Sequence, residues 1–379
     1  MADKVIVNGF CDDRFKEVKE VFAKNFEDGL DVGASFAATI DGKYVIDIWA
    51  GYADAAKTRP WERDTIINVY STTKVMTVLC TLMCVDRGLL DLDAPVAKYW
   101  PEFAQAGKEK ILVRHILSHT SGLSGFGKIV RPKTLYNWDR IIKILAEQEP
   151  WWEPGTQSGY HSITHGYLLG ELVRRVTGKT VGTFFREEVA IPLNADFHIG
   201  LAEEHDHRVA ELLPPDIAEM GVLKDLGPIA AKSLTNPIVD PKNVRDRAWL
   251  GAEIPAANGQ GNARSVARVA SVLACGGQVD DIRLLSLKTI EKSIEEQIYG
   301  TDLVLNNTIR YGLGWGLTSK EMPISPNPRT FYWGGFGGSV VVMDLDAKLS
   351  FAFVMNNMVL SITGDPRTTN LGEALYKSL

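Results

Sequence analysis

Two hydrophobic patterns follow one another in the first part of the chain. Residues 12–26 place apolar side chains at helical spacing behind two aspartates that can cap a helix. Residues 34–40 and 44–49 are rich in strand-forming residues, and the Asp-Gly dipeptide between them is typical of a hairpin turn. Residues 74–87 are apolar over a helical length and stop at a glycine. The pattern therefore predicts a helix, a β-hairpin and a second, buried helix.

The rest of the chain separates into a helical middle and a strand-rich end. Helices are predicted for residues 113–117, 138–147, 166–177 and 181–189. A further helix is predicted at 263–275, strands at 311–318, 329–333, 339–344 and 349–356, and a closing helix at 367–379. Two strands near the start and about three near the end predict one antiparallel sheet. We expect the first and last helices on one face and the 74–87 helix on the other.

This arrangement predicts an α/β protein of the α+β type, built in two parts. Residues 1–90 and 240–379 are expected to form a discontinuous α/β domain, in which helices flank a central antiparallel sheet. Residues 91–239 are expected to form a mostly helical domain inserted between those halves. We expect the active site at the interface of the two domains, where ligand sites commonly lie.

Composition and charge narrow the function classes. The chain has 379 residues, is 45% hydrophobic, and has no apolar run long enough to span a membrane. Its net charge is −6, and no basic stretch interleaves with aromatic residues, so neither a nucleic acid nor a membrane is an expected partner. No signal-peptide pattern is visible and the four cysteines suit reduced thiols, so a cytoplasmic location is predicted. The oligomeric state stays open.

The most informative short motif stands at the start of the 74–87 helix. Ser71 and Lys74 are three positions apart, a spacing that places both side chains on one face of a helix, with Cβ atoms ~5–6 Å apart. A serine needs a neighbouring base to become a nucleophile. The motif therefore makes Ser71 a candidate nucleophile and Lys74 a candidate base.

Tyr160 is the candidate partner of this pair. It follows a Pro-Gly turn and precedes a helical pattern, where a helix dipole would favour a phenolate. A lysine cation nearby would lower the pKa of the phenol, and apolar burial would lower the pKa of the lysine. The alternative is a tyrosine that only packs at a domain boundary.

A glycine-rich stretch, residues 333–339, follows a predicted strand. Glycines beside a strand allow a substrate to lie along the backbone, and a free amide there could join the Ser71 amide in an oxyanion hole. The alternative is a tight bend that needs small residues.

The sequence lacks the motifs of several other classes of enzyme and of metal sites. There is no Gly-x-Ser-x-Gly elbow and no P-loop, and the alternating glycines at 312, 314 and 316 do not open a helix. Six of the seven histidines fall in the pairs His115 and His119, His161 and His165, and His205 and His207. None of these pairs lies in a His-Glu-x-x-His pattern and the chain has no Cys-x-x-Cys, so no metal and no cofactor is predicted, and His119 is interpreted as a structural residue that bonds a turn.

Taken together, these blocks resemble the superfamily of serine β-lactamases and penicillin-binding proteins, above all its class C-like branch with the family VIII carboxylesterases. The match spans residues 30–360. In chain order its blocks are Ser71-Thr-Thr-Lys74, Leu117-Ser-His-Thr-Ser-Gly-Leu123, Glu153-Pro-Gly155 leading to Tyr160, Asn258-Gly259 leading to Ala263-Arg264-Ser265, and Trp333-Gly-Gly335 before Gly337-Gly338-Ser339.

The resemblance implies a three-layer β-lactamase-like fold and a division of roles. Ser71 would form an acyl-enzyme, and Lys74 and Tyr160 would share the task of general base. The amides of Ser71 and Phe336 would hold the oxyanion, and water activated by Tyr160 would release the acyl group.

Two departures from the family pattern bear on the substrate. Ser162 stands where family β-lactamases carry the asparagine of Tyr-x-Asn, and Trp333-Gly334-Gly335 stands in place of Lys-Thr-Gly. That lysine helps to bind the carboxylate of a β-lactam, whereas Trp333 offers an apolar wall without charge. These four residues are the candidate substrate contacts, and they favour neutral, short-acyl carboxylic esters, with β-lactams as weak substrates.

The predicted function is thus that of a serine carboxylesterase. The alternatives on the same fold are a β-lactamase, a D-amino-acid peptidase or a transesterase. An alternative of another class is a catalytically silent homologue that binds a ligand.

Overall fold

The computed structural model describes residues 5–215 and 226–379. In these ranges the helices are α1 (Lys16–Glu27), α2 (Thr73–Asp86), α3 (Val113–Leu117), α4 (Trp138–Glu147), α5 (Thr164–Thr177), α6 (Val181–Phe185), α7 (Ile191–Leu193), α8 (Pro228–Thr235), α9 (Arg247–Gly251), α10 (Ala263–Ala274), α11 (Leu287–Ser293) and α12 (Pro366–Lys377). The strands are β1 (Asn8–Cys11), β2 (Gly33–Ile40), β3 (Lys43–Gly51), β4 (Ile67–Asn68), β5 (Phe197–His198), β6 (Gln260–Gly261), β7 (Gln278–Val279), β8 (Ile282–Arg283), β9 (Ile298–Thr301), β10 (Thr308–Tyr311), β11 (Gly316–Leu317), β12 (Thr330–Gly334), β13 (Val340–Asp344) and β14 (Leu349–Met355).

A central antiparallel sheet joins the two ends of the chain. Within the described residues it has nine strands in the order β1-β3-β2-β14-β13-β12-β11-β10-β9. The first and last parts of the chain meet where β2 pairs with β14, with Ala34 opposite Met355 and Ile40 opposite Leu349. The predicted α/β class, with an antiparallel sheet flanked by helices, is confirmed.

The two faces of the sheet carry different side chains. Phe36 and Phe351 lie on one face with ring centroids 5.8 Å apart, and Phe351 contacts Gly372 of α12. On the other face, the Ser350 hydroxyl donates to the Ala267 carbonyl of α10 at 2.8 Å. Helix α10 presents alanines to this face, and the strand β14 opposite it carries the small residues Ser350 and Ala352. The helix and the sheet can therefore approach closely.

The sheet is larger than its sequence pattern predicts. Strands β1 and β9 were not expected, because four-residue segments carry too little alternation to be recognised. The predicted strand at 311–318 is wrong as a single element. It is divided into β10 and β11 by a turn at residues 312–315, where Gly314 takes a left-handed φ of +98°.

The predicted helices are present, but one of them lies elsewhere than expected. Helices α1 and α12 pack together, as predicted. On the opposite face α10 rather than α2 covers β2, β13 and β14. Helix α2 packs mainly on α5 and α6, and its Val78 contacts Gly314 in the β10–β11 turn.

Among its described residues, the middle of the chain contains the helices α3 to α8, joined by loops, and the two-residue strand β5. The division into residues 91–239 and the remainder stays a prediction. Across the described ranges, no helix has both the length and the apolar character needed to cross a membrane.

Candidate active site

Ser71 lies in a tight turn, residues 70–72, immediately before α2. The preceding residue, Tyr70, has a φ of +44°, which residues other than glycine rarely adopt. A residue distant in the chain stabilises this turn: the Ser339 hydroxyl donates to the Val69 carbonyl at 2.9 Å. Strained backbone of this kind persists where surrounding contacts impose it, and such strain clusters at functional sites.

Three reactive groups meet at the Ser71 hydroxyl. Lys74 Nζ lies 3.0 Å from Ser71 Oγ, and the Tyr160 hydroxyl lies 2.6 Å from the same atom. Ser71 is 8% exposed, whereas Lys74 and Tyr160 are almost fully buried. The structure therefore brings together the three predicted catalytic residues.

Lys74 is buried among carbonyl groups. Its Nζ donates to the Ser162 carbonyl at 2.7 Å and to the Ala256 carbonyl at 3.1 Å. Burial lowers the pKa of the Lys74 ammonium well below its ordinary value. A neutral amine has two N–H donors for these carbonyls, and its lone pair then remains for the Ser71 hydroxyl proton.

The expected pKa direction for Tyr160 is wrong. Burial raises the pKa of the Tyr160 phenol, and the hydrogen bond to Ser71 lowers it by less. The expected help from a helix dipole is missing because α5 begins at Thr164, beyond the tyrosine. Tyr160 therefore rests as a neutral phenol that donates its proton to Ser71 Oγ.

Asp302 holds the backbone of Tyr160. Its fully buried carboxylate accepts the Tyr160 N–H at 3.0 Å and the Tyr311 hydroxyl at 3.1 Å. Sequence reasoning missed Asp302, because a lone acid after a short strand carries no signal. On the other side, the Ser233 hydroxyl of α8 donates to the Tyr160 carbonyl at 3.2 Å.

The glycine loop, defined as Gly334–Gly338, packs against the turn that carries Ser71. A Cβ added at Gly335 would lie 2.1 Å from the Val69 carbonyl oxygen, and one at Gly334 would lie 2.2 Å from the Ile362 carbonyl oxygen. Close approach of backbone to backbone therefore explains both glycines. Their further role as substrate contacts stays a prediction.

The two predicted oxyanion donors have free amides. Neither the Ser71 N–H nor the Phe336 N–H has a hydrogen-bond acceptor among the described residues. The two segments are in contact, since the Phe336 ring packs edge-on against the Tyr70 ring with centroids 5.5 Å apart. An oxyanion hole needs free backbone donors, and the role of these two amides as oxyanion donors stays a prediction.

Trp333 lies beside Tyr160, whereas Ser162 lies beside Lys74. Trp333 is fully buried, with its ring centroid 5.3 Å from that of Tyr160. Ser162 is half-buried and contacts Lys74 through its carbonyl. Trp333 thus forms an uncharged wall beside Tyr160, while the side-chain role of Ser162 stays a prediction.

A family model described as Beta-lactamase matches residues 22–374. The chain belongs to this β-lactamase family. Among curated proteins it is similar to the esterase/beta-lactamase LipL of Mycobacterium tuberculosis (strain ATCC 25618 / H37Rv). The two are 35% identical over 365 residues, which cover 93% of this chain and 83% of LipL.

Solved structures of similar proteins agree with this membership. A family VIII carboxylesterase is 42% identical with a TM-score of 0.93, covering 99% of this chain and 100% of that one. A penicillin-binding protein homologue from Caulobacter crescentus is 38% identical with a TM-score of 0.93 and the same coverage. This member of the β-lactamase family is a serine hydrolase.

Three histidines of this β-lactamase family member form a buried cluster behind the site. His119 stacks on His165 with ring centroids 4.2 Å apart, and its Nδ1 accepts the His161 N–H at 3.1 Å. Burial lowers the pKa of all three, that of His161 to about 3, so they are neutral near pH 7. Within the part of the chain that the structure describes, no group of three His, Cys, Asp or Glu residues could hold a metal ion.

The sequence also predicts that residues 125–133 and 213–236, in the helical middle of the chain, contribute walls of the substrate pocket. Residues 216–225 of the second segment lie outside the described residues. Of the remainder, Asn236 joins the two segments, because its side-chain amide donates to the Phe126 carbonyl at 3.0 Å and its side-chain oxygen accepts the Val130 N–H at 2.8 Å.

Proposed function

We propose that the protein is a carboxylesterase that hydrolyses short-chain carboxylic esters through an acyl-enzyme on Ser71. One observation carries the proposal: Ser71 Oγ lies within hydrogen-bond distance of both Lys74 Nζ and the Tyr160 hydroxyl. A nucleophile is activated when a base stands within that reach. The carboxylesterase and the esterase/beta-lactamase described above supply the precedent for esters.

Acylation begins from a neutral amine and a neutral phenol. As Ser71 Oγ attacks the ester carbonyl, its proton passes to Lys74 Nζ. The C–O bond to the alcohol then breaks, and the Lys74–Tyr160 pair returns a proton to the departing alkoxide. Because the two groups share one hydroxyl, the pair titrates as a unit.

Deacylation repeats these proton transfers with water as the nucleophile. Water gives a proton to the Lys74–Tyr160 pair, its oxygen attacks the acyl carbon, and Ser71 Oγ leaves with a proton. In both halves the Ser71 and Phe336 amides hold the developing oxyanion. Loss of one such donor typically lowers kcat by ~10²–10³-fold.

The substrate preference rests on Trp333. An indole stands beside Tyr160 where family β-lactamases carry a lysine, so this position offers an anionic substrate no charge partner. Binding of a neutral ester is not weakened when tryptophan replaces lysine, because the ester has no charge to pair with the lysine. Trp333, Gly334, Gly335 and Ser162 are proposed as substrate contacts.

We also propose that the site lies between two structural parts, residues 91–239 and the remainder. Tyr160 comes from the helical stretch, whereas Ser71 and Phe336 come from the two flanking segments. A cytoplasmic location remains a prediction.

The decisive test replaces Ser71 with alanine and measures hydrolysis of p-nitrophenyl acetate and butyrate. We expect turnover to fall to the buffer rate, while the wild type is labelled at Ser71 by a fluorophosphonate. Undiminished turnover in Ser71→Ala would end the proposal. A wild type without any adduct would favour the silent ligand-binding homologue instead.

A β-lactamase, D-amino-acid peptidase or transesterase is the second candidate, because each would use the same acyl-enzyme. The name of LipL includes both esterase and beta-lactamase. We expect kcat/KM for an aryl butyrate to exceed that for a cephalosporin. An added alcohol acceptor that yields a new ester would reveal transesterification, and a D-Ala-D-Ala peptide would reveal the peptidase.

A further inference from the structure

Arg367, in the first turn of α12, contacts the backbone of the glycine loop. The residue is 2% exposed, and its Nη2 donates to the Gly337 carbonyl at 3.1 Å. Gly337 follows Phe336, the proposed second oxyanion donor. The contact therefore joins the C-terminal helix to the segment on which oxyanion binding depends.

Two planar peptides connect this contact to the Phe336 amide. The Gly337 carbonyl and the Gly338 N–H belong to one peptide plane, and that N–H donates to the Gly335 carbonyl at 3.1 Å. The Gly335 carbonyl and the Phe336 N–H belong to a second plane, two peptides earlier in the chain, and point in opposite directions. Fixing the Gly337 carbonyl therefore fixes the direction of the Phe336 N–H.

The guanidinium is itself held by buried carboxylates. Nη1 donates to Asp31 at 2.8 Å, while Nη2 and Nε donate to the two Asp365 oxygens at 2.8 and 2.9 Å. Nη1 also donates to the Asn357 carbonyl at 2.8 Å. With the Gly337 carbonyl, all five N–H donors of Arg367 are used, so none remains for a substrate.

The glycine loop is shaped around this side chain. Gly338 has a φ of +118°, and a Cβ there would lie 2.4 Å from Arg367 Nη2. Glycine at this position thus lets the guanidinium approach the loop backbone. Replacing a buried ion pair by apolar residues is often neutral or stabilising, so stability alone does not explain this network.

We propose that Arg367 is a positioning residue: clamped by Asp31 and Asp365, it orients the Phe336 N–H toward the oxyanion through the Gly337–Gly338 peptide. This inference rests on the proposed function, because it requires that Phe336 donate to an oxyanion. It assigns to Arg367 and Asp31 an effect on the transition state rather than on substrate binding.

The test compares Arg367→Lys and Asp31→Asn with the wild type. The measurements are kcat and KM for p-nitrophenyl butyrate and the affinity for a phenylboronic acid that forms a tetrahedral adduct with an active-site serine. We expect kcat to fall about tenfold to hundredfold, since displacements of ~1 Å remote from the chemistry can have that effect. KM should stay within about threefold of the wild type, and boronate affinity should fall in parallel with kcat.

Glu171→Gln is the matched control. Glu171 is fully buried and accepts from Arg174 and Arg175, so its replacement also removes a buried carboxylate from a double arginine contact. It lies on α5, and its carboxylate bonds Trp138, Arg174 and Arg175 rather than the glycine loop. We expect this variant to lose stability while kcat and boronate affinity remain unchanged.

Each outcome of this comparison either supports or overturns the proposed role of Arg367. Folded Arg367→Lys and Asp31→Asn proteins with kcat and boronate affinity within about twofold of the wild type would overturn the clamp, as would an equal kcat loss in Glu171→Gln. If Arg367→Lys does not fold, Asp31→Asn and Gly338→Ala decide by the same criteria.

If the wild type is not labelled at Ser71 by a fluorophosphonate, the proposed function fails and the clamp with it. If labelling succeeds and the variants behave as the wild type, only the clamp fails.

Discussion

Protonation of a single side chain decides whether Ser71 has a base. Lys74 is fully buried, and the described residues place carbonyl oxygens rather than a carboxylate around its Nζ. Such a site disfavours the ammonium and favours the amine. Burial raises the pKa of the Tyr160 phenol, so the phenol keeps its proton. In the proposed mechanism the amine is therefore the proton acceptor in the first step, and the phenol is the donor.

Replacing Lys74 by arginine should remove the base, because it puts a permanently charged guanidinium where the wild type has a neutral amine. Arginine stays protonated at every working pH, so we expect kcat/KM to fall by ~10²–10⁴-fold between pH 6 and 9. The wild type should become more active as pH rises through the lowered pKa of Lys74. The check is a pH profile of both proteins with p-nitrophenyl acetate, and a variant that regains activity at high pH would contradict the assignment.

Replacing Tyr160 by phenylalanine should affect a different part of the reaction. The variant keeps Lys74, so slow fluorophosphonate labelling of Ser71 should persist while steady-state ester hydrolysis falls by about 10²-fold. Rapid-mixing kinetics would show whether acylation or deacylation is slowed. A loss of less than a few-fold would remove Tyr160 from the mechanism.

At the scale of elements, the site depends on how closely the glycine loop approaches the turn before α2. Ser339, just before β13, donates to the Val69 carbonyl, and the backbone of Gly335 lies so close to that carbonyl that no side chain would fit. Strand β12 thereby holds the loop against the nucleophile. A change of one methyl group in this contact should therefore alter catalysis.

Gly335→Ala provides that change. The added Cβ would stand 2.1 Å from the Val69 oxygen, so the loop must move, and we expect kcat/KM to fall about tenfold or more. Overpacking should also lower the free energy of unfolding by about 1–3 kcal/mol. Gly300→Ala in β9 is the control, because nothing lies within 4 Å of its Cβ, and it should change neither quantity. Equal effects at both positions would refute a specific role for the contact.

On the scale of the whole molecule, residues far apart in the chain share one ion network. Asp31 precedes β2 and Arg367 begins α12, and the two side chains meet beneath the glycine loop. Burial raises the pKa of Asp31 to about 6, which Arg367 only partly opposes. The nearby Asp365 carboxylate adds to this rise, so Asp31 is protonated at a higher pH than an exposed aspartate.

The pH dependence of stability should reveal this network. Because the folded pKa of Asp31 exceeds its unfolded value, the folded state binds more protons, and its stability falls as pH rises from about 4 to about 6. The quantity to measure is the unfolding free energy of the wild type minus that of Asp31→Asn, from urea titrations. We expect it to decrease over that window by up to about 3 kcal/mol.

Asp196→Asn should show the opposite slope. Although burial acts against it, hydrogen bonds from His198 and Arg208 hold the pKa of Asp196 well below its usual range. The folded state then binds fewer protons, so the contribution of Asp196 is present above about pH 4 and is lost as pH falls. Slopes of the same sign for the two variants would contradict these pKa directions.

Much of the fold follows from local pattern. The Asp41-Gly42 turn, the apolar helix behind Ser71 and the alternating strands near the C-terminus are all local signals, and each predicted its element. Strands β1 and β9 and the turn that separates β10 from β11 were missed. Their short segments become strands only because a neighbouring strand offers a partner.

By itself the sequence determined the family, the antiparallel sheet with its flanking helices, and the candidates Ser71, Lys74 and Tyr160, because motif spacing and hydrophobic period are local properties. Only the tertiary structure decided which groups carry protons, since the pKa values of Lys74 and Tyr160 depend on what surrounds them. It alone brought Asp302 to Tyr160 and Arg367 to the glycine loop. Burial and contacts between distant segments have no counterpart in the spacing of residues along a chain.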